Sequence, residues 1–392
     1  MSKSQKESKA KSIQKTKLTV ELILSAGIIV SGVYLVKGAV NRAEPVEESV
    51  HYAETETEPP SQEPTDPNQI IYKNDGVLTK DKFRGDLILV NYNHEFFGDA
   101  ENLVDINEKI QKTGINWFSA IDDVNIGDML ISEVAYQPLV NMVKDFYDLT
   151  GIDNIFVYGA YRPKSYQEKI YSEDLLATGS AESTRVAKPG FSEHECGLAF
   201  DFSTYPDWDY QGEGEYEWFT KNCYKYGFII RYPQEKEDIT KIQYEPWHFR
   251  YVGIPHAYFM TSGNICLEEY INLIETMYRY DGQHLQFSDD NNNNYEVYFV
   301  PSDDSQTITE IPVPENFDYQ ISGDNDNGFI VTVFKGANIN SENFVQQTQP
   351  DSQSDSQPDS QTPSEPEPQE QNPADYDNDI AINRPQDAVN GL

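Results

Sequence analysis

Nineteen mostly apolar residues, Leu18 to Val36, separate a basic N-terminus from a stretch with no apolar period, and so divide what can fold in water from what cannot. At about 1.5 Å per residue, a helix of that length spans roughly the 30 Å hydrocarbon core of a bilayer. The seventeen residues before it hold six Lys against one Glu, which places that end in the cytoplasm and everything after Lys37 outside. Glu21 lies one turn inside the boundary, within reach of the headgroups. A cleaved secretory signal is the competing reading, but the run exceeds a usual signal core and no small-residue cleavage site follows it. The expectation is a basic segment at 1–17, a retained membrane helix at 18–36 and an extracellular remainder.

Residues 37–69 are rich in Glu, Thr and Pro, as in Glu58-Pro59-Pro60, and read as an extended, self-repelling linker. Residues 336–392 are Asp-, Ser-, Gln- and Pro-rich and cannot bury a core. The formal net charge of -37 gathers in such segments. It argues against a nucleic-acid backbone as partner, because phosphate binding needs clustered Lys and Arg to displace counterions. Cys196, Cys223 and Cys266 are too few, and odd in number, for a disulfide framework. Cys223 falls on the apolar side of a helix-like run with Trp218, Phe219 and Tyr226, where a small buried residue belongs.

The aromatic and aliphatic residues of a folded domain begin at Ile70 and continue to about Ser262. Leu87-Ile88-Leu89-Val90 has the pattern of a buried strand, and Leu139, Met142, Val143 and Phe146 recur at helical spacing. Ile155-Phe156-Val157-Tyr158 predicts a strand that leads to Pro163, which is placed to open a helix through Gln167 and Ile170. In the next segment, 263–335, Leu267, Tyr270, Ile271, Ile274 and Tyr278 predict a helix. Tyr295 to Val300, Thr307 to Ile311 and Phe329 to Val333 predict strands joined by Asn- and Asp-rich turns. Helices mixed with short strands, without regular alternation, indicate an α+β fold: a main domain at 70–262 and a helix plus β-rich appendage at 263–335.

Two short segments hold the unusual chemistry. One is Ser192-Glu193-His194-Glu195-Cys196-Gly197-Leu198-Ala199-Phe200-Asp201, the other Glu245-Pro246-Trp247-His248. A hydrolytic zinc site needs three nitrogen or oxygen ligands and an open position, and His194, Asp201 and His248 would supply them. Such a site also needs a carboxylate to carry a proton to the leaving amine, for which Glu245 is the best-placed candidate. Arg162 could stabilise an oxyanion or hold a substrate carboxylate. Glu193 and Glu195 fit a solvated surface or a supporting shell around the ligands. His256, beside Pro255, lacks an acidic partner at a suitable spacing.

Other chemistries fit less well. His194-Glu195 begins like the helical His-Glu-x-x-His zinc motif, but Leu198 occupies the last position. No Pro-Cys-x-x-Cys follows, as a zinc deaminase requires. Ser192 or Cys196 as a nucleophile lacks both an elbow and a separate base with its orienting acid.

Read together, Tyr161-Arg162-Pro163 with Gln167, Pro189-Gly190 before Ser192-Glu193-His194, Gly197-Leu198-Ala199 with Asp201, Tyr226-Gly227-Phe228-Ile229-Ile230-Arg231-Tyr232-Pro233 and Glu245-Pro246-Trp247-His248-Phe249-Arg250-Tyr251-Val252-Gly253 resemble the VanY-type D-alanyl-D-alanine carboxypeptidases. These belong to a wider zinc-peptidase group with the D-Ala-D-Ala dipeptidases and the hedgehog domain. The resemblance implies zinc on His194, Asp201 and His248, Glu245 as catalytic base and acid, and Arg162 orienting substrate or stabilising the oxyanion. It further implies Gln167, Ser192 and Trp247 along the substrate cleft, and an antiparallel sheet with helices on one side. Cys196 and Pro163 depart from its usual small polar residue and Ser, and bear on substrate fit more than on metal.

The function expected is zinc-dependent D,D-carboxypeptidase action on peptidoglycan stem peptides outside the cell. The alternatives are a D,D-dipeptidase or wall endopeptidase of the same group, and a non-catalytic zinc-containing module that binds the cell wall.

Overall fold

The computed structural model describes residues 69–121 and 128–336. The expected basic segment, membrane helix and linker, up to residue 68, and the acidic tail from residue 337 lie outside them. Among the described residues no helix is long and apolar enough to cross a membrane. All described residues belong to one compact unit.

In chain order the strands are β1 (Tyr72–Leu78), β2 (Leu103–Asp105), β3 (Leu130–Ser132), β4 (Ile155–Gly159), β5 (Ala199–Thr204), β6 (Phe228–Ile230), β7 (His248–Tyr251), β8 (Leu285–Ser288), β9 (Asn294–Pro301), β10 (Ile308–Pro314), β11 (Asp318–Gly323) and β12 (Gly328–Lys335). The helices are α1 (Ile106–Thr113), α2 (Glu133–Thr150), α3 (Lys164–Thr178), α4 (Glu217–Asn222), α5 (Glu237–Thr240), α6 (Ile254–Gly263) and α7 (Leu267–Met277). Every paired strand in the named sheets is antiparallel, so the fold is a mixed one of helices with antiparallel sheets.

The first half is built on a four-stranded sheet in the order β4-β5-β7-β6. Alternate residues of a strand face opposite ways, so Phe200, Phe202, Phe249 and Tyr251 enter the core with Ile155 and Val157. The buried stripe of α2, Leu139, Met142, Val143 and Phe146, closes over them, and Ile106 and Ile110 of α1 join the same cluster. Asp105 caps α1 by accepting from the Glu108 N–H at 2.6 Å. The polar residues Asp201 and His248 are left on the other face of the sheet.

The second half is a four-stranded sheet, β11-β12-β9-β8, covered on both faces. Helices α6 and α7 pack Ala257, Met260, Leu267, Ile271 and Ile274 against Val297, Phe299 and Ile330. The β1–β10 ribbon packs Val77, Ile311 and Val313 against Tyr298, Val300, Val331 and Val333. This double burial explains why Gly328–Lys335 is a nearly unbroken apolar run, and β1 shows that the segments 70–262 and 263–335 interleave.

One expectation fails. Leu87-Ile88-Leu89-Val90 is buried but belongs to no strand. It runs between the two halves, with Ile88 and Val90 in the first core and Leu87 and Leu89 in the second. Its backbone is satisfied without a ladder. The Leu87 N–H donates to Ser322 Oγ, the Leu89 N–H to the Asp324 carbonyl, and the Ile88 and Leu89 carbonyls accept from Arg250 and Asn325.

Candidate metal centre

Asp201 of β5 and His248 of β7 are register partners, and Gly159 at the end of β4 pairs with Asp201 from the other side. These three positions form one row across the sheet. A Cβ on Gly159 would stand 3.1 Å from Asp201 Oδ2, so the carboxylate lies close over a position without a side chain.

His194 arrives from a tight turn, Glu193–Cys196, whose exit at Gly197 has φ 74°. A side chain at Gly197 would be strained and would meet Leu103 Cδ2 at 2.7 Å. The turn is held by the Arg162 N–H, which donates to the His194 carbonyl at 3.1 Å.

His194 Nε2 lies 3.2 Å from Asp201 Oδ2, and His248 Nδ1 lies 2.9 Å from Asp201 Oδ1. The imidazole rings are nearly perpendicular, at 86°. One donor atom from each of the three residues falls within 4.8 Å of the others. The remaining ring nitrogens are directed elsewhere. His194 Nδ1 is 2.7 Å from the Ala160 carbonyl, which makes it the donor and frees Nε2 as a ligand. His248 Nε2 faces the buried Glu193 Oε2 at 3.5 Å. Two imidazoles, one of them oriented from behind by a backbone carbonyl, and a carboxylate fit a zinc ion.

The charges around the row are strongly perturbed. Burial pushes His194 down to about 4, with Arg162 acting in the same direction. Burial acts the same way on His248, but the Asp201 carboxylate outweighs it and raises that imidazole to about 9. Burial lifts the Glu245 carboxyl to about 7 against the pull of His248. Glu245 precedes β7 in a turn closed by the His248 N–H on the Glu245 carbonyl, and its Oε2 lies 3.9 Å from His248 Nδ1.

Arg162 reaches the row from the end of β4, with Nη2 3.4 Å from Asp201 Oδ2. Its Nη1 donates to Gln167 Oε1 at 3.2 Å, and Gln167 Nε2 donates to the Ala187 carbonyl at 2.7 Å. Gln167 is buried and engaged on both sides, so it holds Arg162. Ser192 is buried at the entry of the His194 turn, and Trp247 is half-buried against the first core. Cys196 is buried, its thiol donating to the Glu193 carbonyl at 2.9 Å, and burial pushes its pKa up to about 11. That is the behaviour of an inert core thiol. His256 stands apart, its two nitrogens 2.7 Å from Tyr270 Oη and 3.0 Å from Thr332 Oγ1.

Of the two readings of Glu193, solvated surface or supporting shell, its burial favours the shell; what the sequence did not show is the pair of Arg that holds it. Glu193 is fully buried and not solvated, and its Oε1 accepts from Arg231 Nε at 2.6 Å and Arg250 Nη1 at 2.8 Å. Burial would raise this carboxyl, but the two guanidiniums outweigh it and hold it far below the usual carboxylate range. The available signal was an Arg set inside each of two apolar strand words, Phe228-Ile229-Ile230-Arg231 and Phe249-Arg250-Tyr251, since an inward Arg demands a partner.

The profile of the VanY family, described as D-alanyl-D-alanine carboxypeptidase, matches residues 129–254. A D-alanyl-D-alanine carboxypeptidase of Enterococcus faecium is 32% identical over 262 residues, spanning 67% of this chain and 79% of the relative. The bifunctional D-Ala-D-Ala dipeptidase and carboxypeptidase VanXYC of Enterococcus gallinarum is 38% identical over 130 residues, 31% of this chain and 68% of that protein. The crystal structure of the vancomycin resistance D,D-dipeptidase VanXYg with a D-Ala-D-Ala phosphinate analogue superposes with a TM-score of 0.57 at 31% identity, covering 67% of this chain and 99% of the other. At 32% identity over four-fifths of a D-alanyl-D-alanine carboxypeptidase's length, and with the family's profile matching residues 129–254, the chain belongs to the VanY family of D-alanyl-D-alanine carboxypeptidases.

Proposed function

We propose that this zinc peptidase removes the terminal D-alanine from peptidoglycan stem peptides ending in D-Ala-D-Ala. The observation that carries the reading is one sheet face on which His194, Asp201 and His248 converge, with Glu245 and Arg162 on their border. His194, Asp201 and His248 hold the metal. When bound, zinc supplies Lewis acidity, which polarises a peptide carbonyl and lowers the pKa of water to about 7.

The chain's own groups do the rest. Glu245 Oε2 takes the proton from the attacking water and passes it to the leaving D-alanine nitrogen. Arg162, fixed by Gln167, presents its guanidinium to the substrate's developing oxyanion or terminal carboxylate. Ser192 and Trp247 act by shaping the cleft wall around the His194 turn and β7. The presence of Glu245 and Arg162 beside the ligands favours an enzyme over a zinc-containing binding module.

Removal of a free D-Ala-D-Ala dipeptide's bond is a second reading, favoured by the likeness to VanXYg over 99% of that chain. Incubation with a stem pentapeptide and, separately, with the dipeptide distinguishes the two, with products identified by mass. Loss of one alanine from the pentapeptide at a kcat/KM above that for the dipeptide supports the carboxypeptidase reading. An intact pentapeptide beside a cleaved dipeptide overturns it.

Our reading also places the site outside the cell on a single-pass anchor. Its support is the Leu18–Val36 run after six Lys, together with a polymeric wall substrate that a long linker would help to reach. Protease accessibility of the C-terminal segment on intact cells tests this, and protection from external protease would contradict it.

A further inference from the structure

The C-terminal half, for which the sequence suggests no role, touches the metal centre through a chain of buried charges. Glu193 Oε2 and His248 Nε2 are buried, 3.5 Å apart, and neither has a hydrogen-bond partner of its own among the described residues. Glu193 Oε1 is taken by Arg231 and Arg250. Arg231 is in turn gripped from α7: its Nη1 donates to Glu268 Oε2 at 2.9 Å and its Nη2 to Glu268 Oε1 at 2.7 Å. Asn91 Nδ2 fixes the same Glu268 Oε1 from the connecting segment at 3.1 Å.

A guanidinium offers donors along two edges, and a carboxylate prefers to take a pair of them. Glu268 occupies the terminal pair and leaves only Nε for Glu193. Two Arg facing two Glu also balance the buried charge. Without Glu268, Arg231 could fork onto both oxygens of Glu193, drawing Oε2 away from His248 and leaving a surplus positive charge near a cation site.

We propose that Glu268 is a positioning residue for the zinc centre: by holding Arg231, it keeps Glu193 Oε2 aimed at His248 Nε2, so that Nδ1 faces the metal. The role of α7 is therefore to complete the metal site from the C-terminal half. This rests on the ligand set proposed above, and the test separates the two.

The full chain is compared with Glu268→Gln, Glu268→Asp, Glu269→Gln and His248→Ala. Zinc affinity is measured by chelator competition and the melting temperature on the metal-free proteins. Glu269 is the control, since it occupies the same helix start but pairs with Lys236 and the Cys266 N–H. The expected result is about a tenfold loss of affinity in Glu268→Gln, a smaller loss in Glu268→Asp, which keeps the charge, and parent-like binding in Glu269→Gln. His248→Ala should lose roughly a thousandfold or more. Parent-like affinity in both Glu268 variants, with His248→Ala impaired, overturns the role of Glu268 alone. So does an equal loss in Glu269→Gln, which would mark a general effect of docking α7. Unchanged binding in His248→Ala overturns the ligand set itself. If Glu268→Gln does not fold, Glu268→Asp decides by the same criterion.

Discussion

Glu193 and Glu296 are both buried carboxylates gripped by cations, one beneath the metal centre and one in the C-terminal sheet. Both oxygens of Glu296 are used: Oε1 lies 2.6 Å from His284 Nδ1 and accepts from Tyr72 Oη at 3.2 Å, while Oε2 accepts from Gln286 at 2.9 Å and Lys335 at 3.0 Å. Glu193 has one oxygen filled by two Arg and the other held open toward an imidazole. The histidines differ likewise. His284 engages Glu296 with one nitrogen and the Tyr280 carbonyl with the other, whereas His248 Nε2 faces the Glu193 carboxylate at 3.5 Å without a hydrogen bond and Nδ1 turns to the row. A completed polar cluster holds a fold together. The Glu193 cluster instead leaves one oxygen unfilled and aimed at His248.

The largest effect that could break this contrast is on metal content. His248→Ala should leave the purified chain without stoichiometric zinc and cut turnover by about a thousandfold or more, while His284→Ala keeps roughly one zinc per chain. Metal analysis of both proteins checks this, and loss of zinc from the His284 variant would erase the distinction.

The carboxylates sharpen it. Glu193→Gln should weaken zinc binding by about 10- to 100-fold through the altered partner of His248. Glu296→Gln should leave zinc affinity unchanged and lower unfolding stability by roughly 2–4 kcal/mol, because Lys335 and His284 lose their counter-charge. Chelator competition and urea unfolding on the same preparations separate the outcomes.

A smaller effect is the pH response of the C-terminal sheet. Burial would raise the Glu296 carboxyl, but hydrogen bonds from His284 and Lys335 outweigh it and bring it down to about 2. A depressed carboxyl contributes stability that is present above its unfolded value of about 4.3 and is lost as pH falls toward 2. Burial opposes the charged form of His284, yet Glu296 raises its pKa, so its contribution is full below about 6.5 and is lost as pH rises through the folded value. The parent's melting temperature should therefore fall more steeply than that of Glu296→Gln between about pH 5 and pH 3. Parallel curves would show that Glu296 is no stabilising hub.

What the sequence revealed follows from the range of the interactions involved. The helices α2, α3 and α7 and the strands β4, β9 and β12 were legible because their burial is written in local periodicity. His194, Asp201, His248 and Glu245 were legible as residue types at suggestive positions and by the family's words. Leu87 to Val90 misled because burial on two sides looks the same in sequence whether the backbone is bonded by a ladder or by side chains. β1 and the Glu193–Arg231–Glu268 chain were not legible, since their partners lie more than thirty residues away and only the assembled fold brings them together.

In the proposed function, Glu245 works beside a zinc held by His194, Asp201 and His248 to cleave a D-Ala-D-Ala bond. The most direct measurement is D-alanine release from a stem pentapeptide by the zinc-loaded chain and by Glu245→Gln, with zinc content determined on the same samples. The expected result is release by the parent and a fall in kcat of about 100- to 10,000-fold in the variant at equal zinc occupancy. Equal release by both proteins, or no release by a zinc-loaded parent, would contradict it.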